Sequence, residues 1–215
     1  LSFLPTISRP SYQQMRGSMA YNNRYQYEGG NLALLSEHRY DLGLLLRYAD
    51  LVASANFVKH TDAVMFCPYL IDDAPIAVSS FTNVSYKSTN IMLAYTPTLG
   101  IWKPSLTAQA SLQSLSQNGQ SYNTPRFSFA FKNLLSFPRS LSFALNLQGN
   151  TAGNDGFVYY RPNFIASAML TKQLACGLSF TLGLQDILHT SRERWSLDAN
   201  GVASDKWLSA DSRQA

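Results

Sequence analysis

The stretch Leu141–Gln148, LSFALNLQ, alternates strictly between two kinds of side chain. One set is large and apolar and the other is small or polar: Leu141, Phe143, Leu145 and Leu147 against Ser142, Ala144, Asn146 and Gln148. Successive side chains of a β-strand point to opposite faces, whereas helical spacing would scatter both sets around the axis. The stretch therefore predicts a β-strand with one apolar face and one small polar face.

The same alternation recurs along the chain. It is clearest in residues 42–48, 106–113, 126–132 and 178–185. Reading strands from such runs along the whole chain predicts nine: 1–9, 36–48, 51–66, 78–96, 104–114, 124–135, 140–150, 158–172 and 176–189. Many exceed the ~5–6 residues usual in soluble proteins, whereas a tilted strand that crosses a bilayer needs ~9–11 residues.

The connections between these strands alternate in length. Those at 10–35, 67–77, 115–123 and 151–157 are long, those at 49–50, 136–139 and 173–175 are short, and 97–103 is intermediate. In an up-and-down antiparallel barrel every second connection emerges on the same side, so one rim is elaborated and the other trimmed. We therefore expect an all-β, antiparallel, up-and-down transmembrane β-barrel. It would be partial, about nine strands of a larger barrel, with residues 1–215 as a single domain.

The short connections are expected at the periplasmic rim, and the long ones, with the segment after 190, on the outer side. The periplasmic rim would then include Asp50, Lys103, Pro138-Arg139 and Lys172-Gln173. Aromatic residues near strand ends are expected to form the interfacial girdles: Tyr40, Tyr48, Tyr95, Trp102, Phe137, Tyr159 and Tyr160.

Alternation also predicts side-chain direction. Phe129, Phe143 and Phe180 are expected to point to lipid, and Phe180→Arg is expected to hinder assembly by ~2–4 kcal/mol near mid-bilayer. Their polar neighbours are expected to face the lumen: Asn146, Gln148, Thr181 and Gln185. Unpaired edges are expected at 1–9 and 176–189.

The composition fits such a wall. Charged residues make up 14% of the chain against a typical quarter, while Tyr and Phe number 12 each. Mean hydropathy is −0.12, and no apolar stretch reaches the ~18 residues of a spanning helix, which excludes helical spans but not strands. The 17 Lys and Arg residues are scattered singly, so the net charge of +4 indicates no nucleic-acid partner.

Longer motifs carry a resemblance to a known family. RPSYQQM at 9–15 is followed by YEGGNL at 27–32 and SEHRYDLG at 36–43. This order resembles the barrel of TonB-dependent receptors, in particular the outer-membrane β-barrel family of Bacteroidota, with its R-R-P-S-Y-x-x-L-like strand end, G-N-P-x-L loop and S-H-x-x-E-L-G strand start. LGLQDILHTSR at 182–192 is similar to that family's N-D-I-F-N-T-S-R.

The resemblance covers essentially the whole chain, although residues 32–35 lack the family's proline and Leu188-His189 replaces its Phe-Asn pair. KWLSADSRQ at 206–214 resembles the lead-in to the final strand. The resemblance implies the C-terminal part of a barrel of about 22 strands, without the final strand or the N-terminal plug.

The function implied by this family is uptake of a scarce, bulky nutrient, such as a glycan, metal chelate or peptide. The implied location is the cell outer membrane of a Gram-negative bacterium. The implied partners are outer-membrane lipid, the plug domain with the TonB complex, and a surface lipoprotein.

No catalytic, cofactor-binding or metal-binding residue is predicted. The three histidines, His38, His60 and His189, lack the H-x-x-x-H or C-x-x-C neighbours of a metal site, and each is expected on the surface. An acidic cluster around an outer loop is expected to be an ordinary solvated loop rather than a cation site: Asp62, Asp72 and Asp73.

Cys67 and Cys176, in a predicted loop and a predicted turn, are expected to be free thiols.

Two other functions stay open. A soluble β-sandwich that binds a ligand or adheres would cover its apolar face with a second sheet, and detergent dependence separates it from a membrane wall.

An outer-membrane barrel enzyme of the lipase type would need a nucleophile and a base, for which His189 and Ser191 are the candidate pair. No enzymatic activity is expected, and Ser191→Ala in a lipase assay is the test.

Overall fold

The computed structural model describes residues 1–71 and 75–209. Its strands, in chain order, are β1 (Ser2–Ser8), β2 (Met19–Asn23), β3 (Gln26–Gly29), β4 (Glu37–Tyr48), β5 (Leu51–Phe66), β6 (Tyr69–Leu70), β7 (Ala77–Ser79), β8 (Phe81–Tyr95), β9 (Trp102–Ser114), β10 (Ser116–Gln117), β11 (Gln120–Ser121), β12 (Arg126–Phe137), β13 (Leu141–Asn150), β14 (Gly153–Asp155), β15 (Val158–Tyr160), β16 (Asn163–Gln173), β17 (Ser179–Leu184), β18 (Arg192–Ala199) and β19 (Val202–Ser209). In the described part, no helix has the length and apolar character needed to cross a membrane.

One antiparallel sheet of nine strands dominates the fold, in the order β1-β4-β5-β8-β9-β12-β13-β16-β17. We call it the wall. Every predicted strand contributes to it, and each wall strand pairs with the next one along the chain, which confirms the up-and-down order. The edges of the wall are β1 and β17, at the two predicted positions.

The connections confirm the predicted sorting by length. Short ones join the wall strands on one side, which we call the short-turn rim: 49–50, 96–101, 138–140 and 174–178. Tight reversals there use left-handed backbone at Ala49, Arg139, Ser140 and Gly177. Longer segments emerge from the opposite side, the loop rim: 9–36, 67–80, 115–125, 151–162 and the chain after 184.

The loop-rim segments contain strands that sequence analysis missed. They form two four-stranded sheets, β2-β3-β7-β6 and β14-β15-β18-β19, and the hairpin β10-β11. Local alternation does not reveal these strands, because most are very short and several pair between loops far apart in sequence, as β3 does with β7. The strand β19, which includes the first residues of the segment 206–214, pairs with β18, while residues 210–214 lie outside the described part.

The main buried cluster of the chain also lies at the loop rim. We call it the loop core, and it consists of Cys67, Val84, Leu115, Tyr122, Phe157, Leu197 and Ala199. Met65 and Tyr86, at the loop-rim ends of β5 and β8, pack against it. The loops therefore fold onto one face of the wall.

Two predicted strand boundaries are wrong. The predicted strand 158–172 is two strands, β15 in a loop-rim sheet and β16 in the wall, separated by Arg161-Pro162. A proline cannot donate to a strand ladder, which explains the break. The predicted strand 176–189 is ordered as strand only in β17, because Asp186 and His189 adopt left-handed backbone in a turn.

Candidate functional site: the polar face of the wall

Register places the large apolar side chains of neighbouring wall strands on a common face, since directly paired residues of antiparallel strands point the same way. One such row runs Leu44, Ala55, Ile91, Ala110 and Phe127, and another runs Leu106, Phe131, Leu147 and Ala166. We call this the apolar face. Phe129, Phe143 and Phe180 lie on it, as predicted.

No second sheet of the described residues covers the middle of the apolar face. In the central wall strands, Ile91, Leu106 and Phe129 are 47%, 43% and 44% exposed. In water so large an uncovered apolar surface is unfavourable, because each partly exposed leucine or phenylalanine forgoes part of the ~1.5–3 kcal/mol that full burial provides. The apolar face therefore requires an apolar partner, and the hydrocarbon of a bilayer fits a surface that extends over nine strands.

Charged residues bound the apolar face at both rims. Lys59 and Lys87 lie opposite each other in the strand register near the loop rim. Lys172 lies opposite Leu141 and Phe180 at the short-turn rim. On β8 the uncharged stretch between Lys87 and Tyr95 spans roughly 26 Å at about 3.3 Å per residue. At the ~35–45° tilt of membrane-barrel strands this corresponds to roughly 20 Å along the bilayer normal, of the same order as the ~25 Å apolar band.

Aromatic residues follow the short-turn rim on the apolar face: Tyr48, Tyr95, Trp102 and Phe137. Their positions agree with the predicted girdle. Tyr159 and Tyr160 were predicted as girdle residues, and this is wrong, because both lie in β15 above the wall. There Arg161 lies 5.6 Å from the ring centroid of Tyr159 and Arg126 4.4 Å from that of Tyr160.

The opposite face of the wall, the polar face, carries small and hydrogen-bonding side chains. It encloses a polar cavity of about 750 Å³ whose lining includes Asn56, Ser88, Asn90, Thr107, Gln109, Ser128 and Gln148. Asn146, Gln148 and Thr181 lie on this face as predicted, and Gln185 follows the end of β17. The sheet therefore has one apolar face and one polar face over its whole width.

Two ion pairs lie near the loop-rim end of the polar face. The Glu37 carboxylate lies 2.7 Å from Nδ1 of His60, whose ring stacks on Tyr86 with centroids 4.3 Å apart. Arg39 donates to Asp41 over 2.8 Å. The expectation that His60 is a surface histidine is wrong, because register turns it onto the polar face, where only 12% of its side chain is exposed.

Some side-chain amide groups of the polar face have only part of their hydrogen bonds formed within the wall. Asn56 donates to Asp41 over 3.4 Å, but its buried Oδ1 has no hydrogen-bond partner among the described residues. Ser111 donates to Asn90 Oδ1 over 2.8 Å. A buried acceptor without a partner costs free energy, so a donor from outside the wall would be stabilising there.

The loops form a roof over the outer end of the polar cavity. Gln113 clamps the loop 151–162, because its amide donates to the Gly156 carbonyl over 2.8 Å and accepts from the Gly156 amide over 2.9 Å. Tyr122 donates to the Asp198 carbonyl over 2.8 Å. Burial raises the pKa of the Cys67 thiol and of the Tyr122 phenol, because water is excluded from the loop core.

The first family motif builds a turn at the loop rim. The Ser11 amide donates to Gln14 Oε1 over 2.8 Å and the Gln14 amide to Ser11 Oγ over 3.3 Å. Asn31 donates to the Phe81 carbonyl over 3.1 Å, which ties this loop to the start of β8. A Cβ on Gly30 would lie 2.6 Å from backbone atoms of Arg16, so only glycine fits.

The second motif is organised around Asp186, which is 1% exposed. Its carboxylate accepts backbone hydrogen bonds from Thr190 over 2.9 Å and from Ser191 over 3.0 Å, closing the turn after β17. The candidate pair His189 and Ser191 therefore lies within a turn that the Asp186 carboxylate stabilises through hydrogen bonds. The structure places both residues at the loop rim.

Of the acidic residues Asp62, Asp72 and Asp73, only Asp62 lies in the described part of the chain. Asp62 lies inside β5, at a register shift where its amide donates to Ser85 over 3.0 Å, and Asp72 and Asp73 lie outside the described residues. In residues 1–71 and 75–209, no three His, Cys, Asp or Glu side chains converge in a way that could hold a metal ion. Both cysteines are free, with Cys67 buried in the loop core and Cys176 exposed at the short-turn rim.

A wide antiparallel wall with one apolar face and one polar face, tight turns on one rim and elaborated loops on the other defines the class of outer-membrane β-barrel walls. The chain belongs to the outer membrane protein beta-barrel family, whose model matches residues 2–215. No curated protein and no solved structure matches the chain. Family membership places the protein in the outer membrane, with the apolar face towards lipid.

Proposed function

We propose that the chain forms part of the barrel wall of a TonB-dependent receptor in a Gram-negative bacterium, which imports a bulky nutrient such as a glycan, a metal chelate or a peptide. The observation that carries the proposal is the polar cavity beneath a packed loop roof. A wall that only anchored loops would not need a recessed, amide-lined inner surface.

The chemistry of the polar face supports an occupied lumen. Two ion pairs, Glu37–His60 and Arg39–Asp41, lie within the wall near its loop rim, and uncharged amides and hydroxyls make up much of the cavity lining. Such groups form many weak hydrogen bonds that exchange readily with water. A plug that must move during transport is better served by this surface than by strong ion pairs. The Asn56 acceptor is one position where a plug or lumenal water would complete the hydrogen bonding.

The two motifs that resemble the TonB-dependent receptors also support the proposal. Both are structural devices of the loop rim, one built on Ser11, Gln14 and Gly30 and the other on Asp186. They fix the points at which outer loops leave the wall. The proposed partners are the plug domain, the TonB complex and a surface lipoprotein resting on the loops.

The proposed role includes no chemical reaction. His189 and Ser191 belong to a turn whose amides are held by Asp186, and a nucleophile needs freedom to approach an ester carbonyl and an oxyanion site. A lipase assay on the intact protein and on Ser191→Ala tests this. Ester hydrolysis that is lost in Ser191→Ala would contradict the proposal.

Lumen occupancy is tested by photo-crosslinking in the intact protein, from a cysteine-linked probe at Gln148→Cys on the polar face. The neighbouring Leu147→Cys, on the apolar face, is the matched control. We expect protein–protein cross-links to a plug from position 148 and lipid adducts from position 147. Equal products from the two positions would overturn the sidedness on which the proposal depends.

Transport is tested by growth of the source bacterium, with and without the gene, on a glycan, an iron chelate or a peptide mixture as the limiting nutrient. We expect a growth defect on one of these, and a loss of uptake when an uncoupler collapses the proton-motive force. Uptake that needs the protein but survives the uncoupler indicates a passive pore and contradicts TonB dependence.

A further inference from the structure

A second recess lies on the apolar face, directly below the β14-β15-β18-β19 sheet. Its volume is about 980 Å³, and we call it the lipid groove. Ala108 and Ala110 form its floor, and Phe127, Phe129 and Phe164 stand beside them. By register, all five belong to the surface that faces hydrocarbon. The groove arises because the two alanines lie between strands that carry larger side chains, such as Ile91 on β8 and Phe127 on β12.

The upper end of the lipid groove is cationic. Arg161, Arg192 and Arg194 contribute to its lining, and all three are exposed. Arg192 and Arg194 alternate along β18 and so share a face of the sheet. Arg161 joins them there, because its amide donates to the Arg194 carbonyl over 3.0 Å. Within the described part of the chain none of the three forms a salt bridge.

The opposite face of this sheet explains the outward direction of the arginines. Leu197, Ala199 and Trp195 lie on it and pack into or against the loop core, on the polar side of the wall. Side chains that alternate with them must point away from the core. A further recess of about 740 Å³ joins the three arginines to Trp207 and to Asp205. Asp205, with Asp198 at the far end of the hairpin, offsets only part of the charge.

The arrangement specifies an amphiphile with a particular polarity. An apolar trough that opens towards hydrocarbon accepts an acyl chain, and a fork of guanidinium groups at the interface binds phosphate oxygens in bidentate fashion. A nutrient bound for the lumen would not reach this side of the wall. We propose that the groove is a binding site for an acylated lipid with a phosphorylated headgroup in the outer leaflet, held by Arg161, Arg192 and Arg194. This site is independent of the proposed transport role.

The first test uses the intact wild-type protein, purified in detergent and mixed with a phosphorylated, multiply acylated glycolipid or with the same lipid after phosphatase treatment. Native mass spectrometry counts bound lipid, and a thermal melt measures stabilisation. We expect retention of the phosphorylated lipid and at least about tenfold weaker retention of the dephosphorylated one, since charge-assisted hydrogen bonds are lost. Equal retention of the two lipids overturns the proposal without need of any variant.

The second test compares Arg192→Gln/Arg194→Gln with Arg9→Gln/Arg24→Gln, a pair of loop-rim arginines away from the groove that removes the same charge. We expect at least about tenfold weaker binding of the phosphorylated lipid in the first pair and wild-type binding in the control. Ala110→Trp, which fills the floor, should weaken binding of both lipids. Equal loss in the control pair, or unchanged binding in both groove variants, would contradict a defined site.

Discussion

The wall and the loop core bury apolar side chains against different partners. In the loop core, Leu115 is 0% and Phe157 3% exposed, enclosed entirely by protein. On the apolar face, Ile91 and Phe129 remain 47% and 44% exposed although they lie in the central strands of a regular sheet. The loop core is organised like the interior of a water-soluble domain, and the wall like one half of a core whose other half is the bilayer.

Because of this contrast, the solvent exposure of an apolar side chain does not by itself show whether that side chain has an apolar partner in the membrane. In the wall, strand pairing satisfies the backbone hydrogen bonds, while the side chains of the apolar face contact lipid. Regular strand pairing and high side-chain exposure therefore occur together. The loops extend into water and must bury their own apolar groups. Substitutions that are equivalent in sequence should therefore have different consequences in the two regions.

The largest effect is expected in the loop core. Phe157→Ala removes a ring that stands edge-on to Tyr122 at 5.0 Å, and leaves a cavity that lipid cannot fill. We expect a loss of about 3–5 kcal/mol in the stability of the roof. Phe127→Ala on the apolar face is the matched control, because lipid replaces the missing contacts. Denaturant-dependent proteolysis of the loops measures the difference, and equal loss in both variants would show that the two regions are alike.

Charge on the wall should be tolerated on one face only. Phe131→Arg, near the middle of the apolar face, is expected to cost about 2–4 kcal/mol in assembly, and Ala130→Arg on the polar face much less. The earlier expectation for Phe180→Arg changes, because Phe180 pairs with Lys172 at the short-turn rim. Its cost should be about 0–1 kcal/mol. Folding into lipid vesicles, followed by heat-modifiable gel migration, gives these values, and similar costs for residues 130 and 131 would refute the sidedness.

A smaller effect is expected where wall and loops join. Asp186→Ala removes the acceptor for the amides of Thr190 and Ser191, which should destabilise this turn by about 1–3 kcal/mol. Hydrogen exchange of those two amides should accelerate, while the exposed neighbour Gln185→Ala leaves them unchanged. Unchanged protection in Asp186→Ala would mean that the sheet pairing of β18 alone holds the turn.

The smallest effect concerns the two thiols. At pH 8 a maleimide should label exposed Cys176 readily and buried Cys67 more than about tenfold more slowly. Because burial raises the pKa of Cys67, the closed roof keeps this thiol neutral, whereas the opened roof ionises it near the usual value of ~8.5. The contribution of Cys67 to roof stability is complete below that pH and declines as the pH rises above it. Equal labelling rates at pH 8 would show that the roof is open.

Structure that is local and repeated could be predicted from the sequence. Alternation in LSFALNLQ and its counterparts predicted all nine wall strands, because a strand with one apolar face must repeat every second residue. It failed at 158–172, where Pro162 interrupts the ladder, and at 186–189, where a buried carboxylate stabilises a turn. The candidate site was predicted only as a polar face, since the ion pair between Glu37 and His60 depends on register between strands.

The sequence by itself determined the sidedness of the wall, the order of its strands and the difference between its two rims, because these follow from the period of two and from loop lengths. Only the tertiary structure decided that distant loop segments pair into sheets around Leu115 and Phe157, and that they close over the polar cavity. It also decided that Arg161 joins Arg192 and Arg194 above an apolar groove. Contacts between segments far apart in the chain leave no periodic signal, so their geometry emerges only when the whole sheet is assembled.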